Sequence, residues 1–197
     1  MKPLKMRYLG DPVLATKAKP IEEITDETRE LSKAMIEMMY RTNGIGLAGN
    51  QIGLASKIVV IHVDAPEDDD GNPLPLETPG EKELYPKMPI TLINPEIVAF
   101  SDDVCSYNEG CLSVPKLYAD VVRSCKVTLK SQLLDGSEFT LECGGMLARV
   151  IQHELDHLEG IVFVERAEEE SYSKIRNAVE KQIKKNGFRN FKVRRRV

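Results

Sequence analysis

The chain has 197 residues, of which 42% are hydrophobic and 29% charged, with a formal net charge of −4. That suits a single globular domain with a substantial core, and it gives no reason to expect specific DNA binding or a membrane surface as partner. No stretch approaches the ~20 consecutive apolar residues of a membrane span, and no apolar segment follows the basic residues 1–7 as a secretory signal requires.

One cytoplasmic domain spanning residues 1–197 is therefore expected. In such a reducing setting Cys105, Cys111, Cys125 and Cys143 are free thiols or a metal ligand.

Residues 6–24 carry scattered prolines and read as an extended arm. Thr25 can cap a helix, with Asp26 and Glu27 in the first turn where the helix dipole favours anions. Leu31, Met35, Met38 and Met39 recur at helical spacing, and Asn43-Gly44 ends the helix. After a glycine-rich loop from Gly44 to Gln51, residues 58–63 form a β-branched run with the pattern of a buried strand. Residues 65–89 shift to Asp, Glu, Pro and Gly over a span longer than the ~12–15 residues beyond which structureless loops become uncommon. They read as a surface insertion.

Strands are expected at 90–94 and 97–100. Val121, Arg123, Cys125, Val127 and Leu129 share one side of an alternating run, which Asp135-Gly136 turns into a hairpin strand at 138–143. Gly144-Gly145 opens a helix through Leu147, Ile151, Leu155 and Leu158, ended by Gly160. A short strand at 161–164, a polar helix at 168–186 and a basic tail at 187–197 complete the chain. Strands and helices are segregated rather than alternating. The class is α+β, with antiparallel or mixed sheets around a central metal-binding helix and a C-terminal helix.

That central helix carries His153-Glu154-Leu155-Asp156-His157. Residues four apart share a helix face at roughly 5–6 Å between Cβ atoms, so both imidazoles can reach one divalent cation. Glu154 can then reach a water in an open coordination position as general base. The bland alternative is a solvated helix with two accidental histidines. Val150, Ile151 and Leu158 flank the motif and argue for burial, where paired polar side chains need partners. The third histidine, His62, sits in an apolar strand, where a core role is expected.

A catalytic site of this kind needs a third protein ligand. Downstream the chain offers Glu159, Glu165 and the glutamates at 168–170 but no histidine; upstream lies Glu109-Gly110-Cys111-Leu112-Ser113-Val114-Pro115. Cys111 as thiolate is the expected ligand, although a single cysteine is more often a small buried hydrophobe. Cys105, Cys125 and Cys143 keep that plainer reading. In the glycine loop, Gln51 offers an amide donor for an oxyanion, against the alternative of a loose connection. Gly44-x-Gly46-x-x-Gly49 also matches the dinucleotide fingerprint, but it follows a helix and precedes a strand, the reverse of the required order.

Taken together, three ordered segments resemble the peptide deformylase family. They are the loop from Gly44 to Gln51, with Gly49 where the family has alanine, the segment 109–113, and Gln152 through His157. The likeness covers roughly residues 6–166, interrupted by 65–89, and includes Leu9 to Leu14, Leu92 to Pro95 and Phe163 to Arg166. It implies metal ligands Cys111, His153 and His157, with Glu154 as the catalytic acid/base. Gln51 and the Leu112 backbone N–H would stabilise the oxyanion, and Gly46 and Glu109 would line the substrate cleft. It further implies Fe2+, replaceable by Zn2+, Ni2+ or Co2+, and removal of the formyl group from N-terminal formylmethionine of a nascent peptide. The residues alone imply only a divalent, borderline-soft ion.

The rival readings are a zinc endopeptidase built on the same helix motif, and a binding protein working through the basic run from Lys174 to Arg196. In a deformylase that run would meet the ribosome.

Overall fold

The computed structural model describes residues 3–187 and 193–195. Five antiparallel strands form the main sheet in the order β1-β2-β3-β6-β7: β1 (Gly46–Ala48), β2 (Ile58–Ile61), β3 (Ile90–Phe100), β6 (Val127–Gln132) and β7 (Glu138–Cys143). A separate hairpin pairs β4 (Val104–Cys111) with β5 (Val114–Ser124). The helices are α1 (Asp26–Arg41), α2 (Pro79–Leu84), α3 (Gly145–Leu158) and α4 (Glu169–Lys185). The α+β class holds, with every strand pairing antiparallel.

Strand β2 explains why its sequence is apolar without alternation. Val59 and Ile61 face α3, packing with Leu147, Ala148, Ile151 and Leu155. Ile58 and Val60 face the other way, against Met35, Met38 and Met39 of α1. Both faces of the strand are covered, so all four side chains are buried. The α1 stripe and its Thr25 cap behave as the spacing predicts, the Thr25 side chain accepting from the Thr28 N–H. A third apolar cluster joins the hairpin to α4 through Val114, Ala119, Val121, Phe163, Tyr172, Val179 and Ile183. Thus α3 lies between the main sheet and the hairpin.

Several expectations change. The two short strands at 90–100 are one irregular strand, β3, its ladder shifting between Ile93 and Glu96 and again between Ile97 and Ala99. Asn94 there has φ +49, and its side-chain amide holds Ile21 of the N-terminal arm. The alternating run from Val121 to Leu129 is not one strand: it breaks at Cys125-Lys126, leaving the hairpin for the main sheet. Strand β4 was not anticipated, because Cys105, Ser106 and Tyr107 are all exposed and show no two-fold pattern. The strand expected at 161–164 is a 3-10 turn, Phe163–Glu165, whose Glu165 carboxylate accepts from the Val162 N–H.

The free-thiol reading of all four cysteines is corrected. Cys105 and Cys125 form a disulfide, with Cα atoms 5.5 Å apart. Cys105 lies near the start of β4 opposite Arg123, and Cys125 follows the end of β5, so the ladder itself brings them together. Cys111 and Cys143 are free, and burial pushes the Cys143 thiol up to about 12. His62 is not a core residue either: half-exposed just beyond β2, its Nδ1 lies 2.6 Å from the Tyr40 hydroxyl.

Within the segment 65–89 most residues up to Glu77 are exposed, but beyond it Thr78, Gly80, Glu81 and Leu84 are buried. Thr78 and Glu81 cap α2 reciprocally, and Leu84 is buried in the main core. No described helix is long and apolar enough to cross a membrane. Of the basic tail at 187–197, residues 188–192 and 196–197 lie outside the described residues. Arg195 folds back, donating to the Val164 and Ala167 carbonyls with its guanidinium 4.3 Å from the Tyr172 ring centre.

Candidate metal centre

Helix α3 presents its two imidazoles towards the end of β4. One ligand atom from each of Cys111, His153 and His157 lies within 4.8 Å of the other two, and the Cys111 sulfur is 3.2 Å from His157 Nε2. The rings of His153 and His157 meet edge to face, 5.1 Å between centres. His153 Nδ1 lies 2.9 Å from Glu109 Oε2, which leaves its Nε2 for the cluster, an arrangement that orients a ligating imidazole. His157 is fully buried, and burial pushes its pKa well below the usual histidine range, favouring the neutral, ligating form. Burial opposes charge on His153 too, yet Cys111 and Glu109 pull its pKa well upward. This pocket attracts positive charge.

The donor set suits a divalent ion: one thiolate and two imidazoles, three protein ligands with room for a fourth. Two buried atoms beside it have no partner among the described residues, Glu154 Oε2 and His157 Nδ1. Glu154 is 3% exposed, and burial raises its pKa to about 7. A nearby cation would favour its carboxylate form.

The glycine loop of the sequence is strand β1 followed by a 3-10 turn, Gly49–Ile52. A Cβ on Gly46 would overlap the Glu154 carboxylate, so only glycine lets β1 approach so closely. Gly49 is tightly held rather than loose: a Cβ there would stand 2.6 and 2.8 Å from the carbonyl oxygens of Ser56 and Leu54. Gln51 is buried; its Oε1 accepts from the Ala48 N–H at 2.7 Å and its Nε2 lies 3.5 Å from the Cys111 sulfur.

A cleft of about 1020 Å³ runs over the cluster, lined by Gly46, Gln51, Glu109, Leu112, His153 and Glu154 among others, and reaches Lys185 of α4. Every expected site residue therefore borders one space, apart from His157, which lies behind it. Glu109 borders it with a committed side chain. Its carboxylate receives Arg123 Nε at 2.7 Å, Arg123 Nη2 at 3.0 Å and Arg149 Nη1 at 3.0 Å besides His153. Arg123 continues to Asp156 Oδ2 at 2.7 Å, and Arg166 to Asp156 Oδ1 at 2.8 Å.

This buried network was missed in the sequence. Its signal was present: Arg123 falls on the inward side of an alternating run, and Arg149 on the buried face of α3. An arginine so placed calls for a buried anion.

A family model described as polypeptide deformylase matches residues 3–172. A peptide deformylase of Picosynechococcus sp. is 40% identical over 94% of this chain and 87% of its own length. Peptide deformylase 2 of Gloeobacter violaceus is 43% identical over 84% and 80% respectively. Among solved structures, the peptide deformylase of Synechococcus elongatus in complex with actinonin superposes with a TM-score of 0.74 at 35% identity, covering 95% of this chain and 90% of that one. A plant peptide deformylase gives 0.79 at 32% identity, covering 100% and 98%.

Proposed function

The chain belongs to the polypeptide deformylase family, and from that premise we propose that Cys111, His153 and His157 hold the catalytic metal while Glu154 moves the proton. The chain is a hydrolase that removes the formyl group from the N-terminal formylmethionine of nascent polypeptides, releasing formate. A zinc endopeptidase is not favoured, because the sulfur comes from upstream of the helix and the relatives are deformylases.

When bound, the divalent ion supplies Lewis-acid polarisation of the formyl oxygen and acidifies a water. Glu154 takes a proton from that water as it attacks the formyl carbon. It then delivers the proton to the departing amine nitrogen, whose bond to the formyl carbon breaks. Buried beside the cluster with one carboxylate oxygen unpartnered, Glu154 is placed to accept that proton and pass it on. Gln51 Nε2 and the Leu112 N–H donate to the formyl oxygen as charge builds on it. Strand β1 stands at the edge of the main sheet, and β4 has β5 as its one partner strand among the described residues, so an extended peptide can lie along either edge beside Gly46 and Gly110.

The observation that carries this reading is the convergence of one sulfur and two imidazoles beside a buried carboxylate without a partner. Glu154→Gln is expected to retain the metal and lose nearly all formate release. Full turnover in that variant removes Glu154 from its role, and unchanged metal content in dialysed Cys111→Ala removes the thiolate from the ligand set. Ferrous iron is the proposed native metal, tested by metal analysis of protein purified without oxygen. Zinc in that preparation would refute it.

The nascent chain reaches the enzyme at the ribosome, and we assign the contact to α4. Lys174, Arg176 and Arg195 are engaged by Glu169 and Glu170. Lys181, Lys184 and Lys185 are exposed and have no acidic partner among the described residues. Replacing these three with glutamate should weaken salt-sensitive sedimentation with ribosomes; unchanged sedimentation would dismiss the contact.

A further inference from the structure

The two halves of the centre belong to different elements. Cys111 ends β4 of the hairpin, whereas His153 and His157 stand on α3. No covalent or sheet connection sets the gap between them, so side chains that bridge hairpin and helix must do it.

Arg149 occupies the position four before His153, and so shares the helix face of both imidazoles. It is only 8% exposed. Its Nη1 donates to Glu109 Oε1 and to the Val121 carbonyl, each at 3.0 Å, and its Nη2 donates to the Cys105 carbonyl at 2.5 Å. One guanidinium therefore holds β4 at two points and β5 at one. Glu109, gripped on Oε1 by Arg149, presents Oε2 to His153 Nδ1. Arg123 of β5 grips Glu109 within the hairpin and Asp156 of α3 across the gap, whereas Arg149 grips Glu109 itself, the partner of His153, from α3.

We propose that Arg149 is a positioning residue that sets the separation and orientation of Cys111 relative to His153, so that the metal centre is assembled before the ion arrives. The planar fork matters: a lysine has one nitrogen and cannot reach a carboxylate and two carbonyls together. The inference rests on the metal-site reading above.

Arg149→Met keeps a similar stem and removes the fork; Arg149→Lys keeps one donor. Zinc affinity, read by competition with a chelator on metal-free protein, should fall about 10–100-fold in the methionine variant, the usual cost of removing a group that orients a ligand. The lysine variant should recover part of that loss. In cobalt-loaded protein the thiolate-to-metal absorption should shift or weaken, and kcat should fall while KM holds. A role in stability alone would lower the melting temperature of the metal-free protein without moving the cobalt spectrum, and that result overturns the proposal. So does zinc affinity equal to the parent's in both variants. Cys111→Ala runs alongside. If it too binds zinc as the parent does, the metal-site reading has failed and takes the proposal with it; if only the Arg149 variants are silent, the proposal fails alone.

Discussion

Replacing Gly46 by alanine separates acid–base chemistry from metal binding. Gly46 is not among the residues with positive φ, so alanine fits the backbone without strain. The added methyl would overlap Glu154 Oε1 and stand 2.8 and 2.9 Å from Cδ and Cγ, so its three nearest neighbours belong to one side chain. Glu154 is 3% exposed and cannot swing into solvent; it has to shift within the site. A displacement of about 1 Å at a reacting group costs on the order of 10²-fold, and removing general acid–base catalysis altogether about 10²–10⁴-fold. Gly46→Ala should therefore lose about 10²–10⁴-fold in kcat. Overpacking should lower stability by about 1–3 kcal/mol. Metal per chain should stay as in the parent, since none of the methyl's nearest atoms belongs to Cys111, His153 or His157. Formate release under saturating substrate, metal analysis and thermal melting on one preparation read all three. An undiminished kcat would refute the reasoning, because it would mean that the carboxylate pressed against Gly46 does not take part in the chemistry.

Glu109 links pH to stability. Burial opposes its ionisation, but hydrogen bonds from His153 and Arg123 outweigh burial and hold its carboxyl well below the usual carboxylate range. A depressed folded-state pKa contributes stability that is present above the unfolded value and lost as pH falls through the folded one. The stability gap between the parent and Glu109→Gln should be widest near neutrality and close below pH 4.5; a gap independent of pH in denaturant titrations would contradict this. For the disulfide, chain-entropy arguments give about 3 kcal/mol for a loop of the 20-residue separation between Cys105 and Cys125. The double serine variant should lose about that much stability by urea unfolding yet keep its metal, and unchanged stability would show that the crosslink constrains little.

Much of the site was legible in local pattern. His153 and His157 declare themselves by spacing, since the geometry of a helix puts residues four apart on one face whatever the rest of the fold does. The Thr25 cap, the Asp135-Gly136 turn and strand β7 are likewise decided within a few residues. The β4–β5 hairpin was not legible: β4 has an exposed, non-alternating start, and β5 merges in sequence with β6 although the two lie in different sheets. Periodicity reports which side of a strand is buried, not which sheet buries it.

What the sequence determined by itself is therefore the chemical inventory and its short-range geometry: two imidazoles and a carboxylate on one helix, a cysteine held between glycine and leucine, and glycines where a strand must pass close. Only the tertiary structure decided how these meet. Cys111 reaches His157 across 46 positions and Glu109 reaches His153 across 44. The same applies to Cys105 with Cys125, and to the arginines that lock Glu109 in place. The physical reason is that separations of this size depend on docking α3 between sheet and hairpin, which is driven by burial of apolar surface and by the need of each buried charge for a partner. Neither requirement is met until the whole chain has folded.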